Sequence, residues 1–220
     1  MENENLDKTE EIKELKEAAR EAAINGDYQN ACLLYEKVNE LSPLNWEAAI
    51  YSKLYKTASG ELKEFIPNAV AFCGSLKNDL ELVKNSFDDE ASKKEVLKQI
   101  EHDTCWLADI GAMVAKKDYA VRNTKRKPVI QTTMNYYIRA INIGYNFGDA
   151  VVEVFGEDYA DCAYEAWIRG LEIHLALIKH LSFSNATVQI GIKEKYLKKI
   201  RAVDPEYKEP KVKELKYYFK

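Results

Sequence analysis

The stretch Ile12 to Pro43, IKELKEAAREAAINGDYQNACLLYEKVNELSP, decides how the rest of the chain is read. Ile12, Leu15, Ala19 and Ala22 recur at three- and four-residue steps and form one apolar stripe, while Lys13, Lys16, Glu17 and Arg20 face elsewhere. Gly26 stops this helix by supplying the left-handed backbone conformation that other side chains resist. A second helix from about Asp27 places Ala31, Tyr35 and Val38 on one face, and Pro43 closes it. The result is a helical hairpin whose apolar faces need a neighbour.

This pattern resembles the tetratricopeptide repeat, in which about 34 residues fold as two antiparallel helices. Ala19 and Ala31 fall where the repeat needs close helix contact, Gly26-Asp27-Tyr28 on the interhelical turn, and Tyr35 on the large aromatic position. A second unit starts at Asn45-Trp46-Glu47-Ala48-Ala49 and then fades, with Ser52 and Lys53 where leucine and a small residue are preferred. The resemblance implies that peptide ligands lie along the face formed by the first helix of each hairpin. Lys13, Lys16 and Arg20 map to that groove, and Lys16 and Arg20, one turn apart, match part of the clamp that some members use for acidic peptide tails. Repeats of this kind stack, and about three units are the usual minimum, so the remaining chain must cover the hairpin.

The remainder has the pattern to do so. After the Ala58-Ser59-Gly60 break, Leu62, Ile66, Ala69, Cys73, Leu76, Leu80 and Val83 alternate four- and three-residue intervals, a coiled-coil-like seam. Pro67 within it predicts a kink or a helix start. A second helix carries Val96, Ile100, Leu107, Ile110 and Val114, capped by Asp88 or Asp89. A third begins near Pro128 with Ile130, Met134, Tyr137, Ile138, Ile141 and Tyr145. A fourth carries Tyr164, Ile168, Leu171, Leu175 and Ile178, with Trp167 and His174 alongside. Gly144, Gly148 and Gly156 mark close helix contact or a break, the break being the more ordinary reading at Gly148-Asp149. A shorter helix spans about Lys193 to Val203.

The expected fold is therefore all-α, with residues 1–10 a disordered acidic terminus, 11–58 the hairpin region, 61–203 a helical bundle, and 204–220 a charged tail or short helix. Periodicity leaves open whether the later helices form an antiparallel bundle or continue an irregular α-solenoid.

Composition narrows the function classes. The chain has 220 residues, 46% of them hydrophobic, enough for a substantial core. A net charge of -4 argues against bulk attraction to nucleic acid or an anionic membrane. Cysteines 32, 73, 105 and 162 form no CxxC pair and read as reduced, buried thiols. The opening MENENLDKTEEIKE is acidic where a secretory leader is basic and then apolar, and no apolar run reaches the roughly 18 residues of a membrane helix. A cytoplasmic protein without membrane insertion is expected.

Motifs for chemistry are absent: the sequence holds no GxxxxGK[ST], GxGxxG or GxSxG string. His102 and Cys105 are three apart, two ligands where zinc takes four or three, and His174 and His180 fall on different helix faces. No catalytic residue, cofactor or metal is predicted. The acidic series Asp149, Glu153, Glu157, Asp158, Asp161, Glu165 and Glu172, against the single Arg169, reads as a solvated face. Tyr136, Tyr137, Tyr145, Phe147, Phe155, Tyr159, Tyr164 and Trp167 read as core.

The expected function is a non-enzymatic helical scaffold that binds a protein or peptide partner. Two alternatives remain: a small-molecule-binding or enzymatic bundle with a pocket near residues 136–174, and a nucleic-acid-associated protein using the basic stretch 116–127, with Lys116, Lys117, Arg122, Lys125, Arg126 and Lys127 around Tyr119.

Overall fold

The computed structural model describes residues 2–122, 131–179, 181 and 183–211. Within them the fold is all-α: α1 (Glu2–Ile24), α2 (Tyr28–Leu41), α3 (Trp46–Ser59), α4 (Leu62–Ser86), α5 (Glu90–Arg122), α6 (Gln131–Phe155), a 3-10 segment (Glu157–Cys162), α7 (Tyr164–Ile178) and α8 (Phe183–Val203). None of these helices is long and apolar enough to cross a membrane. The chain divides into two compact units, Met1–Lys93 and Lys94–Lys220.

In the first unit consecutive helices pack against each other, α1 on α2, α2 on α3 and α3 on α4. The α1–α2 turn follows from its sequence. Gly26 sits at φ 78, its amide donates to the Ala23 carbonyl, and the Asp27 amide donates to Ala22. That bond pair closes the end of α1 in a left-handed cap. The Asp27 carboxylate then accepts from the Asn30 amide, and the Asn45 side chain accepts from Ala48 in the same way to start α3. Ala19 and Ala31 are fully buried, as close helix contact requires.

Several helix bounds and faces differ from the sequence expectation. α1 begins at Glu2, so residues 2–10, whose acidic composition suggests disorder, continue the helix; glutamate, lysine and leucine are good helix formers. α4 starts at Leu62 and runs through Pro67 instead of starting there. Its buried stripe is Phe65, Ala69, Phe72, Leu76, Leu80 and Val83, while Leu62 is exposed and Ile66 and Cys73 are half-buried. The helix rotates to hide its two phenylalanines, each worth about 1.5–3 kcal/mol when fully buried.

In the second unit α6 packs on α7, α7 on α8, and the 3-10 segment on α6. α6 continues through Gly148-Asp149 to Phe155, and the break comes at Gly156, at φ 97. Gly144 and Gly148 serve close contact instead. A Cβ on Gly144 would stand 2.4 Å from the Ala166 carbonyl oxygen, and one on Gly148 2.4 Å from the Trp167 indole nitrogen. α8 begins ten residues earlier than its lysine-rich half suggests, at Phe183. Residues 204–211 are non-helical and fold back: Tyr207 stands edge-on to Tyr164, and Lys193 holds Glu209 at 2.9 Å.

The starts of α5 and α7 also explain themselves. Asp89 accepts from the Ser92 amide and caps α5. α7 has no side-chain cap of its own; the buried Glu101 carboxylate of α5 accepts from the Glu165 and Ala166 amides at 2.9 and 3.4 Å, with Lys98 beside it at 2.8 Å. A carboxylate at a helix N-terminus meets both its free amides and its dipole. Burial raises the Glu101 carboxyl against those partners.

Candidate functional site

Of the three groove residues expected from sequence, Lys13 pairs with Glu10 at 3.4 Å on the surface, its side chain 62% exposed. Lys16 and Arg20 do grip a carboxylate, and it is the chain's own. Arg20 donates through Nε and Nη2 to the two oxygens of Glu47, both at 2.7 Å, and Lys16 reaches Glu47 Oε2 at 2.6 Å. The Tyr35 hydroxyl adds a fourth donor at 2.8 Å. Glu47 lies in the first turn of α3 and is only 4% exposed. Three helices, α1, α2 and α3, thus converge on one carboxylate.

The electrostatics follow from this geometry. Burial alone would raise the Glu47 carboxyl, but the hydrogen bonds from Arg20 and Lys16, with Tyr35, outweigh it and hold the group below the usual carboxylate value. Arg20 is raised in return, chiefly by its hydrogen bond to Glu47. Tyr35 is pushed up by burial and by the adjacent charge, so it remains a neutral donor. A smaller cluster repeats the device: the Asp79 carboxylate, buried on α4, takes Lys53 of α3 at 2.7 Å and the Ser75 hydroxyl at 2.7 Å.

Around Glu47 the tyrosines Tyr28, Tyr35, Tyr51 and Tyr55 stack with centroids 5.7 to 6.1 Å apart. Asn39 of α2 bonds the Ala48 carbonyl and the Ser52 hydroxyl of α3. Of the three basic groove residues, Arg20, 54% exposed, and Lys13 remain outward; Lys16 is mostly covered.

In the second unit His174 is buried and fully engaged. The Gln189 amide oxygen can only accept, so His174 carries its proton on Nε2 and donates there at 2.8 Å. Nδ1 then accepts from the Tyr145 hydroxyl at 3.2 Å. Tyr145 stacks on Tyr196, whose hydroxyl donates to Asp149; Trp167 Nε1 and Lys199 complete that carboxylate at 3.0 and 2.7 Å. Of the acidic series, Asp149 is tied down in this way, Asp161 by Lys94 and Glu172 by Arg169, while Glu157 and Asp158 remain on the exposed surface. Tyr136, Tyr137, Tyr145, Phe147, Tyr159 and Trp167 are core, and Trp167 and His174 belong to the buried face of α7.

Burial pushes His174 down to about 4. Its folded value lies below its ordinary one, so the unfolded chain takes the proton first and stability is lost as pH falls from about 6.5 to 4, by roughly 3 kcal/mol at most. Replacing His174 with glutamine flattens that part of the profile. Urea unfolding of both proteins across the window checks it, and parallel pH dependences would contradict the assignment.

A cavity of about 680 Å³ opens beside Trp167, lined by Lys94, Val152, Ala160, Asp161, Lys199 and Val203 among others. Glu165, Glu172 and His174 do not line it. His102 is 79% exposed beside Asp103, and among the described residues no three His, Cys, Asp or Glu side chains are grouped to hold a metal ion. Burial raises Cys32 and Cys162 to about 11 and Cys105 to about 12, which leaves them weak nucleophiles. Of the basic stretch, Lys116, Lys117 and Tyr119 lie on α5; Lys125, Arg126, Lys127, Pro128 and Ile130, like His180, fall outside the described side chains.

No family model matches this chain, and no curated protein matches it. Glu47 is the site residue that the sequence reading missed. Its signal was a lone acid inside the apolar run Trp46-Glu47-Ala48-Ala49-Ile50, which needs a cationic partner once that run is buried.

Proposed function

We propose that this chain is a non-enzymatic, tetratricopeptide-like scaffold that binds a protein or peptide partner along the face of α1 and α3. The observation that carries the reading is the Glu47 cluster, which fastens the first helices of two successive hairpins to each other through Lys16 and Arg20. A surface whose side chains are already locked loses less entropy when a partner arrives. Because Glu47 neutralises much of the Lys16 and Arg20 charge, the partner's acidic groups meet the outer edge of Arg20 and Lys13.

The test leaves the cluster intact. Full-length tagged protein, a Lys13→Glu variant and a control Lys37→Glu variant on exposed α2 surface are used for quantitative affinity capture. The expected result is a defined partner set lost with Lys13→Glu and kept with Lys37→Glu. An identical set from all three proteins, or none from the parent, contradicts the reading.

A further inference from the structure

The cavity beside Trp167 has a floor and walls of different character. Val152 of α6, Trp167 of α7, Ala160 of the 3-10 segment, and Ala202 and Val203 of α8 give it apolar surface. One wall, the 3-10 segment, carries Glu157, Asp158 and Asp161; another, the last turns of α8, carries Lys198 and Lys199.

Internal pairing removes some of these charges. Lys94 binds Asp161 at 3.1 Å and the Asp158 carbonyl at 3.1 Å, and Lys199 binds Asp149 while its ammonium lies 5.4 Å over the Trp167 ring. Among the described residues, no side chain pairs with the Lys198 ammonium or with the Glu157 and Asp158 carboxylates. The cavity therefore offers spare negative charge on one wall, spare positive charge on another, and an apolar surface between them. Its volume, about 680 Å³, falls in the range of small-ligand sites.

We propose that this cleft binds a short peptide with both termini free, its carboxylate at Lys198 and the outer side of Lys199, its ammonium at Glu157 and Asp158, and a small apolar side chain over Val152 and Ala202. A singly charged ligand satisfies one wall and leaves the other without gain; a zwitterion with an apolar body uses all three surfaces. Charge-assisted hydrogen bonds at each end fix its direction. This site lies in the second unit and stands independently of the partner surface on α1 and α3.

The experiment is calorimetric titration of the full chain with three probes: alanyl-leucine, its N-acetyl form and its C-terminal amide. Saturable binding of the free dipeptide is expected, weakened about tenfold or more by either cap, the scale of one charge-assisted contact. Lys198→Ala should abolish the penalty for amidation alone, and Glu157→Gln with Asp158→Asn the penalty for acetylation alone. These side chains are exposed, and the folded state of each variant is checked by its unfolding curve. No saturable binding of the free dipeptide, equal binding of all three probes, or penalties that persist in the variants overturns the proposal.

Discussion

Glu47→Ala is expected to destabilise the first unit by about 3–5 kcal/mol, the range for removing one partner of a buried, hydrogen-bonded ion pair. The substitution does more than delete a contact. It leaves the Lys16 ammonium, the Arg20 guanidinium and the Tyr35 hydroxyl facing one another without the carboxylate that gathered them. Native-state hydrogen exchange of the α1 and α3 amides reads the loss locally. By contrast, Lys13→Ala, which breaks only the exposed pair with Glu10, should change the same readout by at most about 0.5 kcal/mol. The carboxyl of Glu47 is held low in the folded state, so its contribution is present above the unfolded carboxylate value and lost as pH falls through the folded one. A loss at Glu47 no larger than that at Lys13 would contradict the burial and bonding assigned to it.

The second large effect sets two glycines against each other. Gly144→Ala puts a methyl 2.4 Å from the Ala166 carbonyl oxygen and 3.0 Å from the Gly170 amide nitrogen. Both are backbone atoms, so α6 and α7 must separate, at a cost of about 2 kcal/mol or more. Gly74→Ala, on the exposed face of α4 with nothing within 4 Å, should instead stabilise by about 0.5–1 kcal/mol through helix propensity. Urea midpoints of the two variants should move in opposite directions. Equal shifts would mean that α6 and α7 are not in the close contact described.

What the sequence made legible was local. The Gly26 turn, the helix start at Asn45, the Ser59–Gly60 break and a cap at Asp88 or Asp89, which proves to be Asp89, each arise from residues within a few positions of one another, where one side chain or one φ angle decides the backbone. The all-α class followed from the same short-range patterns. Helix faces were read less well. In α4 the seam through Leu62, Ile66 and Cys73 gave way to Phe65 and Phe72, because larger side chains gain more from burial and the helix turns to hide them. In α7 the histidine and tryptophan moved inward because Tyr145, Gln189 and Asp149, distant in sequence, satisfy their polar atoms. Gly148 lies inside α6, where the missing side chain leaves room for Trp167 of α7.

The candidate site shows the same limit. Lys16 and Arg20 were recognisable as a pair able to hold a carboxylate, since one helical turn separates them. Their carboxylate was not recognisable, because Glu47 lies 27 residues from Arg20 and reaches it only after α2 has folded back. Asp79 is the parallel case: an acid in a buried stripe reads as an interruption of the pattern until Lys53 is seen beside it. Charged residues inside apolar runs were thus the signal, and pairing each acid with a base of another helix is the step that spacing alone does not supply.

A double-mutant cycle between Arg20→Ala and Glu47→Gln, read by hydrogen exchange at α1 and α3, tests most directly whether the two hairpins are joined through this carboxylate. A bidentate pair with a buried carboxylate and a half-exposed guanidinium predicts a coupling of about 1–2 kcal/mol, with the double variant losing far less than the sum of the single ones. Additive losses, with coupling under about 0.5 kcal/mol, would mean that Arg20 and Glu47 act independently and that something else holds α1 against α3.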